Sequence, residues 1–160
     1  MPADVRIELL SEHPEYLPVL KAWFEREWPT YYGLDGPGDA AADLRGYSNV
    51  DSLPIGIVAL EGDKLCGVAA LRVTSIPSMS HLCPWAGAGL VPPNLRRRGI
   101  GDLLLAGLEQ LAERLGHKRI FCATATSSSL LARRGWRLLE RTYHDGENLE
   151  VFEKSLVDAP

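Results

Sequence analysis

The chain is poor in cysteine and has no long apolar run, and each shortage excludes something. No apolar stretch approaches the ~20 residues that a membrane-crossing helix needs, so no membrane partner is expected. Met1-Pro2-Ala3-Asp4 is not a basic stretch followed by an apolar one, so no secretory signal is expected. Cys66, Cys83 and Cys122 are odd in number and form no Cys-x-x-Cys pair. That pattern favours reduced thiols in a cytoplasmic setting over disulfides or a metal centre, and no metal is expected. No cysteine has a base beside it in sequence, which disfavours a cysteine nucleophile. Internal repeats, low-complexity tracts and linkers are also lacking. With 160 residues, 46% of them apolar, one globular domain over 1–160 with a full core is expected.

Charge is unevenly placed. Residues 1–94 hold 6 basic and 12 acidic side chains, residues 95–141 hold 10 and 4, and residues 142–160 hold 1 and 5. The basic middle block can attract an anion, while the acidic flanks repel a long polyanion. A small anionic cofactor fits this better than nucleic acid, which is not expected as a partner.

The periodicities give an order of elements. Val5–Leu9 alternates as a strand. Ser11 is the expected N-cap of a helix carrying Tyr16, Leu17, Leu20, Trp23 and Phe24 at helical spacing. The stretch from Glu27-Trp28-Pro29 to Gly33 breaks that helix, and 39–47 reads as a second, short one. Leu53–Leu60 and Leu65–Val73 read as a hairpin turning at Gly62-Asp63. Pro84–Val91 is an apolar strand rich in glycine and alanine. Ile100, Leu103, Leu104, Gly107, Leu108, Leu111 and Leu115 then mark one face of a helix over about 99–115. A short strand at 119–123, a short helix ending at Arg134-Gly135, and strands at 136–142 and 149–152 complete a βααβββαβαββ order, which is α+β or mixed α/β.

The most informative stretch is Arg96-Arg97-Arg98-Gly99-Ile100-Gly101, between a strand and a helix. A strand, a glycine-rich turn and a helix start gather backbone N–H groups around an anion. Three cations at a helix N-terminus oppose the helix dipole, and a bound anion would remove that penalty. A phosphate-bearing ligand is the expectation.

Leu90-Val91-Pro92 followed by Arg96-x-x-Gly99-x-Gly101, and the later Leu130-Leu131-Ala132-Arg133-Arg134-Gly135-Trp136, together resemble the two signature motifs of the GNAT superfamily of N-acetyltransferases. The order of elements agrees over nearly the whole chain. The resemblance implies a mostly antiparallel, twisted sheet of about seven strands flanked by about four helices. It implies acetyl-coenzyme A as cofactor and direct transfer of its acetyl group to a primary amine of a small-molecule or peptide acceptor. Dimers are common in the family, so a homodimer is expected too.

By the same resemblance, Leu90 and Val91 line the pantetheine arm. Arg96, Arg97, Arg98, Gly99, Ile100 and Gly101 hold the pyrophosphate, and Arg133 lies near the ribose phosphate. A free backbone N–H near Gly89-Leu90 polarises the thioester carbonyl, and Ala86-Gly87-Ala88-Gly89 leaves room for the reactants. Two departures stand out. Leu131 occupies the position where relatives often carry a proton-donating tyrosine, leaving Ser127, Ser128, Ser129 or Tyr143 as substitutes, with Ser129 chosen. Asp102 replaces a small hydroxyl residue beside the expected phosphates. Glu27 is the first expected base, on the premise that Trp28 raises its pKa, with His81 and His144 as alternatives. Trp28, Tyr31, Tyr32 and Trp85 are expected to line an aromatic, acidic acceptor pocket suited to a cationic amine. A noncatalytic module that binds or senses acyl-coenzyme A is the competing expectation.

Overall fold

The structure is a computed structural model and describes residues 4–157. Strand β1 (Val5–Leu9) is followed by two single 3-10 turns, Leu10–Glu12 and Pro14–Tyr16, before α1 (Leu17–Glu27) begins. Ser11 therefore does not cap α1, as the sequence suggests, but lies inside the first turn. Pro14 and Pro18 cannot donate backbone hydrogen bonds and break the approach into short turns. Helix α1 ends at Glu27, the short α2 (Pro29–Tyr32) restarts at Pro29, and α3 (Ala40–Gly46) begins at Asp39, whose side chain accepts from the Ala42 N–H at 3.0 Å.

Strands β2 (Ile55–Glu61) and β3 (Lys64–Arg72) form the expected hairpin, with Gly62 in the left-handed region at φ 62°. After β4 (Trp85–Leu90) come α4 (Ile100–Arg114), β5 (Arg119–Thr124), α5 (Ser128–Arg133), β6 (Arg137–His144) and β7 (Glu147–Ser155). The seven strands form one sheet in the order β1-β2-β3-β4-β5-β7-β6. Every neighbouring pair is antiparallel except β4–β5, which α4 joins by a crossover.

Each face of the sheet has its own cover. Helix α4 lays Ile100, Leu104, Leu108 and Leu111 against Ile57, Ala69, Leu71 and Ala86. Gly107 lets it approach closely, since a Cβ there would meet Ile7 Cγ2 at 2.9 Å. On the other face α1 and α3 place Leu20, Phe24 and Leu44 against Val58, Leu60, Val68 and Ala70. Trp85 packs with Phe121, Ile76, Met79 and Val151 in a third cluster. No helix of the described residues is long and apolar enough to cross a membrane.

Two irregularities in β4 set up the site. Its ladder to β5 has only two pairs, Trp85↔Phe121 and Ala86↔Cys122. Against β3, Val68 faces Leu90 and Ala70 faces Gly87, so β4 carries an extra residue there. Ala88 takes a left-handed φ of 52° to accommodate it. From Gly87 onward β4 has parted from β5, and a wedge opens between the two strands.

Candidate functional site

The wedge leads into the arginine loop. After β4 a 3-10 turn, Pro93–Leu95, is anchored by buried Leu95. Arg97 and Gly99 then take left-handed φ angles of 66° and 83°, which swing the chain into α4. Gly99 is the N-cap of α4 and has no side chain to cap it. The first hydrogen bond back onto this turn is from the Leu103 N–H to the Gly99 carbonyl, 3.1 Å. The backbone N–H groups of Arg97, Arg98, Gly99, Ile100, Gly101 and Asp102 have no acceptor among the described residues. Such a set of unpaired donors at a helix start is suited to an anion.

The three arginines differ. Arg96 donates from Nε to the Val91 carbonyl at 2.8 Å and from Nη2 to Glu27 Oε1 at 3.1 Å. Arg98 reaches Glu61 Oε2 at 3.3 Å. Arg97 has no ion-pair partner among the described residues. All three are exposed, and their pairs are surface pairs, each contributing about 0–1 kcal/mol, so a multivalent anion can compete for them.

Behind the loop is a second, unlike arginine site. Glu109 is buried on α4 and receives four donors. Arg134 gives Nε and Nη2, both at 2.9 Å, Trp136 gives its indole N–H at 2.9 Å, and Lys154 gives Nζ at 2.9 Å. Arg134 also donates to Asp102 Oδ1 at 3.0 Å, and Lys154 caps the Arg134 carbonyl at 2.7 Å. Burial pushes the Glu109 carboxyl up, yet these hydrogen bonds outweigh it and hold the group below the ordinary carboxylate range. The clasp ties α4 to the end of α5 and to β7. It also explains Asp102, whose carboxylate is taken up by Arg134 beside the arginine turn.

The remaining expected residues fall in different places. Trp85 is a correction: it is 0% exposed, donates its indole N–H to the Leu82 carbonyl at 2.7 Å, and belongs to the core, so it lines no acceptor pocket. It lies where β4 is still paired with β5 and packs next to Phe121 there. Glu27 is also placed differently. It is exposed and bonded to Arg96, outside any apolar enclosure. Trp28 stacks edge-on against Phe24, with ring centres 5.1 Å apart. Tyr31 is exposed and meets Tyr32 edge-on at 4.7 Å. The Tyr32 hydroxyl donates to Asp43 Oδ2 at 2.6 Å, and burial together with that bond pushes the phenol well above its ordinary pKa.

His81 is exposed in the approach to β4, and Ser129 is exposed on α5. Neither donates or accepts a side-chain hydrogen bond among the described residues. Ser128, by contrast, donates to Glu150 Oε1 at 2.5 Å, and Thr124 Oγ1 accepts from the Thr126 and Ser127 N–H groups. Leu131 is buried in the core, and Arg133 is exposed at the end of α5. The structure thus joins Glu27 to the arginine loop but does not bring Glu27, His81 and Ser129 together. Elsewhere Glu8, Glu12 and His13 hold their ligand atoms within 4.8 Å of one another, with Glu8 already bonded to Arg6 and His13.

The sequence reading missed Glu109 and the partner of Arg134. A signal was present: Glu109 lies in the arc of α4 that holds Leu105 and Ala112, where a carboxylate requires a cation.

With this geometry in hand, comparison with known proteins decides the family. Residues 18–138 match the family model described as acetyltransferase (GNAT) family. The chain belongs to the GNAT acetyltransferase family. Acetyl-coenzyme A is the cofactor of GNAT acetyltransferases. The fold is similar to that of an aminoglycoside 6'-N-acetyltransferase complexed with coenzyme A, with TM-score 0.78, 13% identity, and 97% of this chain and 99% of that one covered. It is similar to the aminoglycoside 6'-N-acetyltransferase from Enterococcus faecium, with TM-score 0.76, 14% identity, and 97% and 99% covered. It also resembles yncA from Salmonella typhimurium, solved with its cofactor acetyl-CoA, with TM-score 0.76, 16% identity, and 98% and 96% covered. At such identities the likeness concerns the fold. No curated protein sequence matches the chain.

Proposed function

We propose that this chain, as one domain over 1–160, transfers the acetyl group of acetyl-coenzyme A to a primary amine by direct attack on the thioester. The observation that carries the reading is the run of unpaired N–H groups from Arg97 to Asp102 beside the wedge in β4. The backbone is open at two of its glycines. A Cβ at Gly101 would meet only Leu130 Cδ2, at 3.5 Å, and one at Gly89 would meet nothing within 4 Å, so in neither place does the protein itself fill the space. When bound, acetyl-coenzyme A supplies an activated acyl carbon and a thiol leaving group, whose pKa of about 8.5 lets it depart with little help.

The chain's own residues do the rest. The amides from Arg97 to Asp102 would hold the pyrophosphate, with Arg96, Arg97 and Arg98 supplying charge and Arg133 the ribose phosphate. The backbone of Gly89-Leu90, with no β5 partner opposite it, would polarise the thioester carbonyl, and Leu90 and Val91 would line the arm. Trp28, Tyr31 and Tyr32 would form the acceptor side. Glu27 is joined to the cofactor loop through Arg96 and would orient the incoming ammonium. The proton leaves to solvent, which reaches Glu27, His81 and Ser129 alike. Two of the similar structures are aminoglycoside 6'-N-acetyltransferases, which supports an amine as acceptor. The three free cysteines support a reducing, cytoplasmic setting. Association as a homodimer is part of the proposal.

A second reading, a noncatalytic acyl-coenzyme A module, is favoured by buried Leu131, a side chain that cannot donate a proton. Calorimetric titration with coenzyme A, followed by a screen of amines for thiol release and for gain of one acetyl group by mass spectrometry, tests both. Binding without turnover on any amine selects the noncatalytic module, and no binding removes both readings.

A further inference from the structure

Arg72 closes β3, on the side of the strand that also carries Val68 and Ala70, the face covered by α1 and α3. Its side chain lies across β4 where that strand parts from β5. A Cβ at Gly87 would meet Arg72 Cδ at 2.9 Å and Nη1 at 3.4 Å, with Ser75 Oγ at 3.7 Å. The absence of a side chain at Gly87 is what lets the guanidinium lie there. Arg72 is partly buried and has no side-chain hydrogen bond or ion pair among the described residues. Asp43, a carboxylate felt by the same tyrosines as Arg72, is engaged by the Tyr32 hydroxyl at 2.6 Å. The Arg72 charge is felt by both Tyr32 and Tyr47: burial drives both phenols upward, and the guanidinium opposes it.

The Arg72 nitrogens are unpaired among the described residues and reach solvent rather than being sealed in the protein, so on the face of Val68 and Ala70, beside the opened strand, the guanidinium is free to meet an anion that the protein does not itself provide. Gly87 stands two residues from Gly89, across the bulge at Ala88. An amine poised at the opening could therefore carry an anionic group only a few bonds away. We infer that the acceptor is a primary amine bearing a carboxylate close to the amine, with Arg72 as the residue that selects it. This rests on the transferase reading above and narrows its substrate class, away from acceptors that carry only positive charge.

The test is a thiol-release panel of α- and short ω-amino acids, each paired with its own carboxamide, plus one polycationic aminoglycoside. It is run on the unaltered chain, Arg72→Met and Arg72→Lys, with coenzyme A affinity measured in parallel by calorimetry. Free carboxylates should exceed their carboxamides by at least about tenfold in kcat/KM, the scale of one charge-assisted hydrogen bond. Arg72→Met should bring that ratio close to one, and Arg72→Lys should restore part of it, with coenzyme A affinity unchanged in both. A ratio near one in the unaltered chain, a ratio that survives Arg72→Met, or preference for the aminoglycoside overturns the inference. So does the lack of any turnover on carboxylate-bearing amines by a chain that binds coenzyme A normally. Failure to bind coenzyme A is a separate result and removes the transferase reading itself.

Discussion

Two arginine sites lie at opposite ends of one short path along α4, and they are opposites in kind. At the start of the helix Arg96, Arg97 and Arg98 are exposed, Arg96 and Arg98 form only surface ion pairs, with Arg96 also donating to the Val91 carbonyl, and the amides from Arg97 to Asp102 have no acceptor among the described residues. Two turns further on, Arg134 is largely buried, its partner Glu109 accepts four hydrogen bonds, and the donors and acceptors are matched within the protein. The contrast separates binding from construction. A cation cluster that the fold leaves open is available to a ligand, and one that the fold saturates serves the fold. Net charge alone does not tell the two apart, because both lie in the same basic stretch of sequence.

The comparison can be broken or sharpened by substitution. The largest effect is expected from Gly99→Glu, which forces a side chain into a left-handed φ of 83° and adds a negative charge among the N–H donors. Coenzyme A binding should vanish in calorimetry, and near-normal affinity would show that the turn is not the pyrophosphate site. Next, Glu109→Ala should cost about 3 kcal/mol in urea unfolding, because it strands the buried charges of Arg134 and Lys154. A loss under about 1 kcal/mol would reduce the clasp to an ordinary surface pair.

The clasp also has a pH signature. The folded carboxyl of Glu109 sits below its unfolded value, so its contribution is fully present above the unfolded pKa of about 4.3 and is lost as pH falls through the lower, folded value. Urea midpoints measured from pH 7 downward should therefore drop more steeply below that point in the unaltered chain than in Glu109→Gln, and parallel curves would contradict the assignment.

Arg98→Gln should lower coenzyme A affinity severalfold and shallow its salt dependence while leaving the urea midpoint nearly unchanged, since its pair with Glu61 is worth about 0–1 kcal/mol. The smallest effect is expected from Asp102→Asn. Its carboxylate is 48% exposed. The loss should stay within about 1 kcal/mol, and a larger one would make Asp102 an integral part of the clasp.

Much of this molecule is legible in order along the chain. The strand alternation of Val5–Leu9, the Gly62-Asp63 hairpin and the apolar face of α4 all follow from spacing within one element, and the structure has them where the sequence puts them. The arginine turn is legible for the same reason: Gly99, Gly101 and the cations lie within six residues of one another. What was misread, or not read at all, depends on partners distant in sequence. Trp85 reads as a pocket residue until its place against Phe121, on a different strand, is known. Arg134 meets Glu109 across 25 positions, and Arg72 meets Gly87 across a bulged pair of strands. Ser11 looks like a helix cap by type, but the prolines on either side of Tyr16 break the chain into turns first.

The amino-acid sequence by itself determined which segments become strands and helices and where a glycine turn leaves helix-end donors open, because periodicity, glycine freedom and helix-end donors act over a few residues. Only the tertiary structure decided which arginines are spent inside the protein and which are left over, because that depends on which carboxylates the packed sheet and helices bring within about 3 Å.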